Sequence, residues 1–177
     1  MTNSQLLQFL IGTVLVILFS WFVSIREKRY HGIPRFFAFE GLLLLGLLQR
    51  PVWFSDPFAP RQIVSWILLT ICIYYIMAAV ILYFRHARPG VNFENSTKLV
   101  TTGLYKFVRH PMYASLLLLG WGMFFKSIHP ASIALILVIT LALYLTCKVE
   151  EKEMITRFGK EYEDYMKRTR MWIPWLI

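Results

Sequence analysis

The chain has 177 residues, of which 57% are hydrophobic, and a formal net charge of +9 at pH 7. A soluble domain is about 45–50% apolar, and a soluble chain above that range would expose large hydrophobic patches, so the composition favours lipid as the solvent. The length indicates one domain, residues 1–177, and the basic residues flank apolar runs, which argues against nucleic acid as a partner.

Five apolar segments follow one another along the chain and predict an all-α integral membrane protein. The first is long enough for the roughly 20 residues that a span needs. It is expected to be a retained anchor, because no basic residue precedes it and no small-residue cleavage pattern follows it. The last two are separated by only a few residues, which predicts a tight helical hairpin. The predicted spans are residues 6–25, 36–48, 63–84, 112–125 and 131–147.

Lysine and arginine are distributed unequally between the two sides of these predicted spans. Sixteen of the 19 fall on one side, and Arg50, Arg61 and Lys126 fall on the other. Cytosolic loops carry the excess of basic residues, so we expect the N-terminus outside and the C-terminus in the cytosol. In a bacterium the membrane would be the inner or plasma membrane.

The polar C-terminal segment, residues 148–177, is predicted to be a cytosolic amphipathic helix as far as about residue 168. One apolar stripe with helical spacing runs along it. Trp172 and Trp175 beyond the helix are typical of interfacial anchors. The stripe consists of Met154, Phe158, Tyr162 and Tyr165.

The first candidate for chemistry is the sequence Arg109-His110-Pro111-x-Tyr113 at the start of the fourth span. Proline suits the first position of a helix, and the backbone N–H groups that follow it can hold an anionic group. Arg109 and His110 add donors, and Tyr113 adds an aromatic face or a hydroxyl. The alternative is a basic and aromatic cluster that only anchors the helix at the membrane interface.

The second candidate is the pair Glu150-Glu151, just after the fifth span. Neighbouring helical residues point about 100° apart, so one glutamate can face a ligand while the other is solvated or pairs with a lysine. Lys148 is three residues before Glu151 and can reach it. The alternative is a solvated charged helix face. The predicted hairpin would bring this pair to the same side of the membrane as Arg109 and His110.

Other polar residues give weaker signals. Glu40 lies roughly one turn inside the second span, where an ionisable residue suggests function, although it could also extend to the interface. His31, His86 and His129 are isolated in predicted loops and are assigned no role. The sequence contains no CxxC and no His/Cys cluster, so no metal site is predicted.

Four motifs in order make the C-terminal half similar to the isoprenylcysteine carboxyl methyltransferase family, within a wider group that includes the phospholipid methyltransferases. The first three spans match that family only in hydropathy. The motifs are Lys98-Leu-Val-Thr-Thr-Gly-Leu-Tyr105, Arg109-His110-Pro111-Met112-Tyr113, Glu150-Glu151 and Phe158-Gly159-Lys-Glu161-Tyr162-x-x-Tyr165.

The resemblance implies S-adenosylmethionine as the methyl donor, bound at the cytosolic side by the segments 98–113 and 148–177. Carboxylates suit its ammonium and ribose hydroxyls, while helix N–H groups and a histidine suit its carboxylate. The residues implied in cofactor binding are Val100, Leu104, Tyr105, His110, Met112, Tyr113, Glu150 and Glu151.

One departure from the family concerns the methyl acceptor. The resemblance implies an arginine about one turn before the glutamate pair, whereas this chain has Thr146-Cys147-Lys148. Lys148 could supply the charge without the bidentate geometry of arginine. An amine, a thiol, a hydroxyl or another lipid acid stays open as the acceptor. For an amine or a thiol, Glu151 or Glu150 would act as the base, so Lys148 and Glu151 are the candidate catalytic residues.

The sequence therefore predicts a membrane methyltransferase that acts on a small lipophilic acceptor entering from the bilayer. The first alternative is an NADPH-dependent membrane reductase of the sterol-reductase type, although the additional spans of that group are missing here. The second alternative is a non-catalytic membrane binding protein, which would tolerate the loss of His110, Glu150 and Glu151. Nothing in the sequence indicates an oligomeric state.

Overall fold

The computed structural model describes residues 2–87 and 97–174, and the secondary structure there is helical apart from one isolated bridge between Val108 and Arg170. Four of the helices are long and apolar enough to cross a membrane, and a fifth apolar helix is shorter. The predicted all-α membrane fold is therefore confirmed. The helices are α1 (Asn3–Val23), α2 (Gly32–Gln49), α3 (Pro60–His86), α4 (Pro111–Phe124), α5 (Pro130–Phe158) and α6 (Lys160–Arg168).

Proline marks the first position of three of these helices, α3, α4 and α5. A proline there loses no hydrogen bond, because the first N–H groups of a helix have no partner within it. His129 caps α5, since its Nδ1 accepts a hydrogen bond from the backbone N–H of Ser132 at 3.2 Å. The sequence assigned no role to His129, and the role that the structure gives it is structural.

Helix α5 extends well beyond the apolar segment that predicted it. It continues from residue 147 to Phe158, so the glutamate pair lies on its polar last turns. The prediction of a single amphipathic helix to about residue 168 was wrong in one respect. The chain breaks at Gly159, where φ is +56° and ψ is −133°, a conformation that glycine adopts readily and other residues rarely. Helix α6 then runs in a new direction.

Helices α2 and α5 form the centre of the bundle. Gly41 brings α2 so close to α5 that an added Cβ would lie 2.6 Å from Ile139. Helix α4 packs between α3 and this centre, and an added Cβ at Gly122 would lie 2.8 Å from Leu69 of α3. Close approach of backbones at small residues is typical of membrane helices. The short helix α4 is therefore surrounded by longer helices.

Helix α1 lies on the outside of the bundle and exposes most of its apolar side chains. Its polar contacts with α2 include a hydrogen bond in which the Thr13 hydroxyl donates to Glu40 Oε2 at 2.9 Å. A hydrogen bond between helices is favourable in lipid, where water does not compete. Glu40 thus has a structural partner and is not among the residues that line the cavity described below.

The segment after α6 folds back against the start of α4. The backbone N–H of Arg109 donates to the Arg170 carbonyl at 2.7 Å, and that of His110 donates to the Met171 carbonyl at 3.1 Å. Trp172 is buried and its Nε1 donates to Cys147 Sγ at 3.2 Å. The interfacial position predicted for Trp172 was therefore wrong, and Trp175 lies outside the described residues.

Candidate active site

A cavity of about 290 Å³ lies where the six helices and two connecting segments meet at one end of the bundle. We call this end the cavity end. Six of the predicted site residues line the cavity, and three others, Leu104, Lys148 and Glu151, do not. The six are Val100, Tyr105, His110, Met112, Tyr113 and Glu150. The structure thus brings the two predicted polar segments together around one space.

The start of α4 forms one wall of the cavity. His110 is the residue before the helix, Pro111 is its first residue, and both line the cavity with Met112 and Tyr113. The backbone hydrogen bonds to residues 170 and 171 hold this turn against the C-terminal segment. The first N–H groups of a helix carry partial positive charge, so this wall suits an anionic group.

Some buried polar atoms on cavity-lining residues have no hydrogen-bond partner within the described part of the chain. Glu150 Oε2 and His110 Nε2 are among them. His110 Nε2 lies 3.5 Å from Glu151 Oε1, a distance that allows charge attraction but no strong hydrogen bond. Buried polar groups almost always have partners, so each such atom requires an explanation. A ligand that donates a hydrogen bond to Glu150 and contacts His110 would account for both unsatisfied atoms.

Glu151 faces away from the cavity and organises the wall behind it. Its side chain is only 4% exposed, and its Oε1 accepts a hydrogen bond from Arg109 Nε at 2.9 Å. Its Oε2 lies 3.2 Å from Lys148 Nζ. Arg109 also donates to the backbone carbonyls of Thr169 and Met166. Glu151 therefore fixes Arg109, which joins α5 to the C-terminal segment.

Three tyrosines complete the polar part of the cavity, namely Tyr105, Tyr162 and Tyr165. The Tyr165 hydroxyl donates to the Tyr105 carbonyl at 2.6 Å and so ties α6 to the segment before α4. Burial raises the pKa of Tyr162 well above its ordinary value, and the carboxylates of Glu150 and Glu151 add to that rise. Burial likewise raises the pKa of Tyr105. These hydroxyls stay neutral and can donate hydrogen bonds at physiological pH.

The other part of the cavity is apolar and lies among the membrane helices. Phe19 of α1, Phe39 of α2, Ile76 of α3 and Leu116 of α4 line it. Arg35 borders this part, with its guanidinium carbon 5.0 Å and 5.7 Å from the ring centroids of Phe19 and Phe39. The cavity therefore joins a polar region at the ends of α4 and α5 to an apolar region at membrane depth.

His31, which the sequence left without a role, also lines the cavity. It is buried, and its Nδ1 lies 2.7 Å from Glu153 Oε2 on α5. The two residues are 122 positions apart, and no local pattern connects them. The prediction of an isolated loop histidine was wrong for His31. His86 is the last residue of α3 and is exposed, outside the cavity.

Several known proteins are similar to parts of this chain. A family model described as phospholipid methyltransferase matches residues 61–161, which is more than half of the chain. Methanethiol S-methyltransferase 1 of Bradyrhizobium diazoefficiens is 35% identical over 72 residues, which cover 41% of this chain and 25% of that protein. The methanethiol S-methyltransferase of Pseudomonas deceptionensis is 31% identical over 87 residues, which cover 49% of this chain and 32% of that protein.

A further relative has a different printed function. A probable protein-S-isoprenylcysteine O-methyltransferase of Oryza sativa subsp. indica is 27% identical over 88 residues, which cover 49% of this chain and 46% of that protein. The chain thus spans between a quarter and a half of the length of these three relatives. The names of these relatives have methyl transfer in common, while the acceptor differs.

Proposed function

The chain belongs to the phospholipid methyltransferase family, and from this membership we propose that it is a membrane methyltransferase that uses S-adenosylmethionine. The family model covers the segment before α4, α4 itself, the whole of α5 and the start of α6. These elements contribute most of the polar lining of the cavity. The match therefore includes His110 and Glu150, on which the proposed site rests, and ends just before Tyr162 and Tyr165.

The observation that carries the proposal is the pair of unsatisfied polar atoms in one cavity, Glu150 Oε2 and His110 Nε2. The proposed cofactor carries an ammonium and ribose hydroxyls, which can donate to Glu150, and a carboxylate, which suits His110 and the start of α4. NADPH would instead bring phosphate groups, whereas the Glu150 carboxylate in the cavity lining favours a ligand with hydrogen-bond donors there. The lining thus fits the methyl donor better than the reductase cofactor.

The residues of the chain would bind and orient the two reactants. When bound, the cofactor supplies a methyl group that its sulfonium already activates, so the main task of the protein is to align donor and acceptor. Glu150 and His110 would hold the polar groups of the donor. Glu151 would act through Arg109 and His110 as a positioning residue, and Lys148, which lies outside the cavity lining, would support Glu151.

The proposed acceptor is a small lipophilic molecule. It would occupy the apolar part of the cavity and arrive from the bilayer between the membrane helices, where Phe19 and Phe39 lie. The relatives named above act, according to their names, on methanethiol and on an isoprenylcysteine. A lipophilic thiol or acid is consistent with both names.

We also propose that the cavity end faces the cytosol, where the donor is available. The excess of Lys and Arg at that end supports this orientation, because cytosolic sides of membrane proteins carry such an excess. A reporter enzyme that works only in the cytosol should be active when it is fused to the C-terminus. If a reporter that works only on the opposite side of the membrane were active there instead, the proposed orientation would be reversed.

The direct test is the binding of S-adenosylhomocysteine, the product form of the donor, to the detergent-solubilised protein by calorimetry. We expect a dissociation constant in the micromolar range and no binding of NADPH measured in parallel. Substitution Glu150→Gln should weaken the binding about tenfold or more, because a charge-assisted hydrogen bond is lost. Binding of NADPH alone, or of neither ligand to folded protein, would overturn the proposal.

A further inference from the structure

A second, smaller cavity lies at the cavity end of the bundle, apart from the proposed donor site. Its volume is about 200 Å³. None of its lining residues also lines the cavity that contains His110 and Glu150. We call the smaller cavity the basic pocket, because most of the residues around it carry a positive charge. They are Phe107, Lys167, Arg168, Arg170 and Pro174.

Two short segments that pair with each other form part of the basic pocket. The backbone N–H of Arg170 donates to the Phe107 carbonyl at 3.0 Å, and the N–H of Arg109 donates to the Arg170 carbonyl at 2.7 Å. The last turn of α6 supplies the other side of the pocket, with Lys167 and Arg168. The cationic side chains therefore extend from a backbone that hydrogen bonds hold in place.

The positive charge of the basic pocket is only partly compensated. Lys167 Nζ pairs with Asp164 Oδ1 at 2.7 Å, and Arg168 Nε donates to the backbone carbonyl of Asp164 at 3.3 Å. Arg168 and Arg170 are exposed. Neither forms an ion pair with a carboxylate in the described part of the chain. Two guanidinium groups are thus available to an anionic ligand.

The end of helix α6 does not account for the whole cluster. Basic residues in the last turn of a helix interact favourably with its dipole, which explains Lys167 and Arg168. Arg170, however, lies beyond the end of α6, and Lys106 belongs to the segment before α4. Lys106 is exposed, and its Nζ lies 5.8 Å from the ring centroid of Phe107. Cations from two separate segments therefore surround one pocket.

The basic pocket lies near the level at which the apolar part of α5 ends. Trp172 follows Arg170 by two residues, and its Nε1 donates to the sulfur of Cys147, the last residue of that apolar part. The Trp172 ring also packs against Tyr144, with 6.3 Å between the ring centroids. Ile173, the next residue, is exposed. This places the pocket at the depth of the lipid headgroups.

An anionic phospholipid has the chemistry that such a pocket would recognise. Its phosphate can accept paired hydrogen bonds from the planar guanidinium groups of Arg168 and Arg170. Basic clusters at the cytosolic ends of membrane helices attract anionic lipids. A zwitterionic lipid carries an additional ammonium group, which the cations would repel. The exposed Phe107 and Ile173 suit a lipid better than a soluble phosphate, because exposed apolar side chains mark contact with a membrane.

We propose that the basic pocket binds the headgroup of an anionic phospholipid from the leaflet at the cavity end. Arg168 and Arg170 hold the phosphate, Lys106 and Lys167 add positive charge, and the acyl chains extend into the bilayer past Phe107. The lipid occupies a site of its own, separate from the cavity proposed for methyl transfer. This role does not depend on the methyltransferase activity.

The test is native mass spectrometry of the delipidated protein, titrated with phosphatidylglycerol and, as the zwitterionic control, with phosphatidylcholine. We expect phosphatidylglycerol to bind at least about tenfold more tightly, because the control lipid brings a positive charge to the cationic cluster. Equal affinity for the two lipids would overturn the proposal, and this comparison needs no variant. An excess of inorganic phosphate should leave the lipid bound. Displacement of the lipid would indicate a site for soluble phosphate and overturn the choice of a lipid.

A pair of double variants locates the lipid on the protein. Arg168→Gln combined with Arg170→Gln should weaken the binding of phosphatidylglycerol at least about tenfold, because charge-assisted hydrogen bonds are lost. The matched control, Lys152→Gln combined with Lys160→Gln, removes the same charge from exposed positions outside the pocket. It should bind the lipid like the parent protein. An equal loss in both double variants would reduce the effect to the overall charge of this face and overturn the site.

Thermal unfolding in detergent checks that the variants fold and measures lipid binding a second time. Without lipid, both double variants should unfold cooperatively near the temperature of the parent protein, since the substituted side chains are exposed. A ligand that binds only the folded protein raises this temperature. Phosphatidylglycerol should therefore raise it in the parent protein and in the lysine control, but not in the arginine variant. An equal rise in all three proteins would overturn the proposal.

Discussion

Polar side chains are buried at both ends of the helical bundle, but they are used differently. At the end opposite the cavity, Lys126 is fully buried and donates to Gln62 Oε1 at 3.0 Å. Its Nζ also lies 3.2 Å from the centroid of the Trp66 ring. At the cavity end, Glu150 and His110 keep polar atoms without a partner in the described part of the chain. Burial of a polar group alone therefore does not identify a site, whereas an unsatisfied group that lines a cavity does.

The contacts around Lys126 show what a purely structural cluster looks like. Arg61 donates to the backbone carbonyl of Lys126, and Gln49 Nε2 donates to that of Ser127 at 2.6 Å. Gln62 Nε2 donates to the carbonyls of Val52 and Ser55. These bonds hold the segment between α2 and α3 against the loop between α4 and α5. The cluster fixes the hairpin, and most of its polar groups are directed at one another, although Gln49 Oε1 has no hydrogen-bond partner in the described part of the chain. Gln49 is not among the residues that line the cavity.

The largest effect that we expect is on stability, at the Lys126 end. Lys126→Ala removes the ammonium from its aromatic and amide partners and leaves Gln62 Oε1 without this donor beside a void. The void and the unsatisfied buried acceptor together cost about 3 kcal/mol. Thermal unfolding in detergent should therefore shift to lower temperature, while the folded protein binds S-adenosylhomocysteine with an affinity within about threefold of the parent.

Lys126→Met is the matched control, because it keeps most of the side-chain volume but removes the charge. It should destabilise the protein less than Lys126→Ala does, since the void is largely filled. A large loss of ligand affinity in either variant, at a temperature where the protein is folded, would contradict the separation of the two ends.

The second effect should appear in ligand binding, at the cavity end. Glu151→Ala removes the carboxylate that holds Arg109 and lies beside His110. Both groups would then be free to reorient, and the wall of the cavity at the start of α4 would lose its support. We expect S-adenosylhomocysteine to bind about 30-fold more weakly, which corresponds to about 2 kcal/mol.

The control for this prediction is Glu163→Ala, which removes an exposed carboxylate from α6 outside the cavity. Its ligand affinity should equal that of the parent protein. If Glu151→Ala also kept the parent affinity in calorimetry, the positioning role of Glu151 would be wrong, and the wall would be held by the backbone hydrogen bonds alone.

Much of the fold could be predicted because its signals are local. Apolar runs of sufficient length indicate the membrane helices, and prolines at positions 60, 111 and 130 lie at helix starts. The motif around His110 and the glutamate pair are each local in sequence. The two motifs meet because the short connection between α4 and α5 leaves few alternatives. The sequence therefore predicted most of the polar residues around the cavity correctly as neighbours.

The roles of individual side chains could not be predicted in the same way. The rotation of α5 decides that Glu150 faces the cavity and Glu151 faces Arg109, and sequence gives no phase relative to a neighbour. The contact between His31 and Glu153 joins residues 122 positions apart. The fold of the C-terminal segment, which buries Trp172 against Cys147, depends on the break at Gly159. Each of these features arises from tertiary packing.

The smallest effect should follow from Lys148→Ala, and it distinguishes two roles of that lysine. The Lys148 side chain is 45% exposed and pairs with Glu151 at 3.2 Å. A solvated ion pair contributes at most about 1 kcal/mol, so ligand affinity should change less than about fivefold. Because Lys148 is not part of the cavity lining, kcat/KM for the acceptor should change equally little. A selective loss of more than about tenfold in that constant, at unchanged S-adenosylhomocysteine affinity, would instead place Lys148 on the acceptor. The cavity would then have to open toward Lys148 during the reaction, because in the structure Glu151 holds this ammonium at the wall.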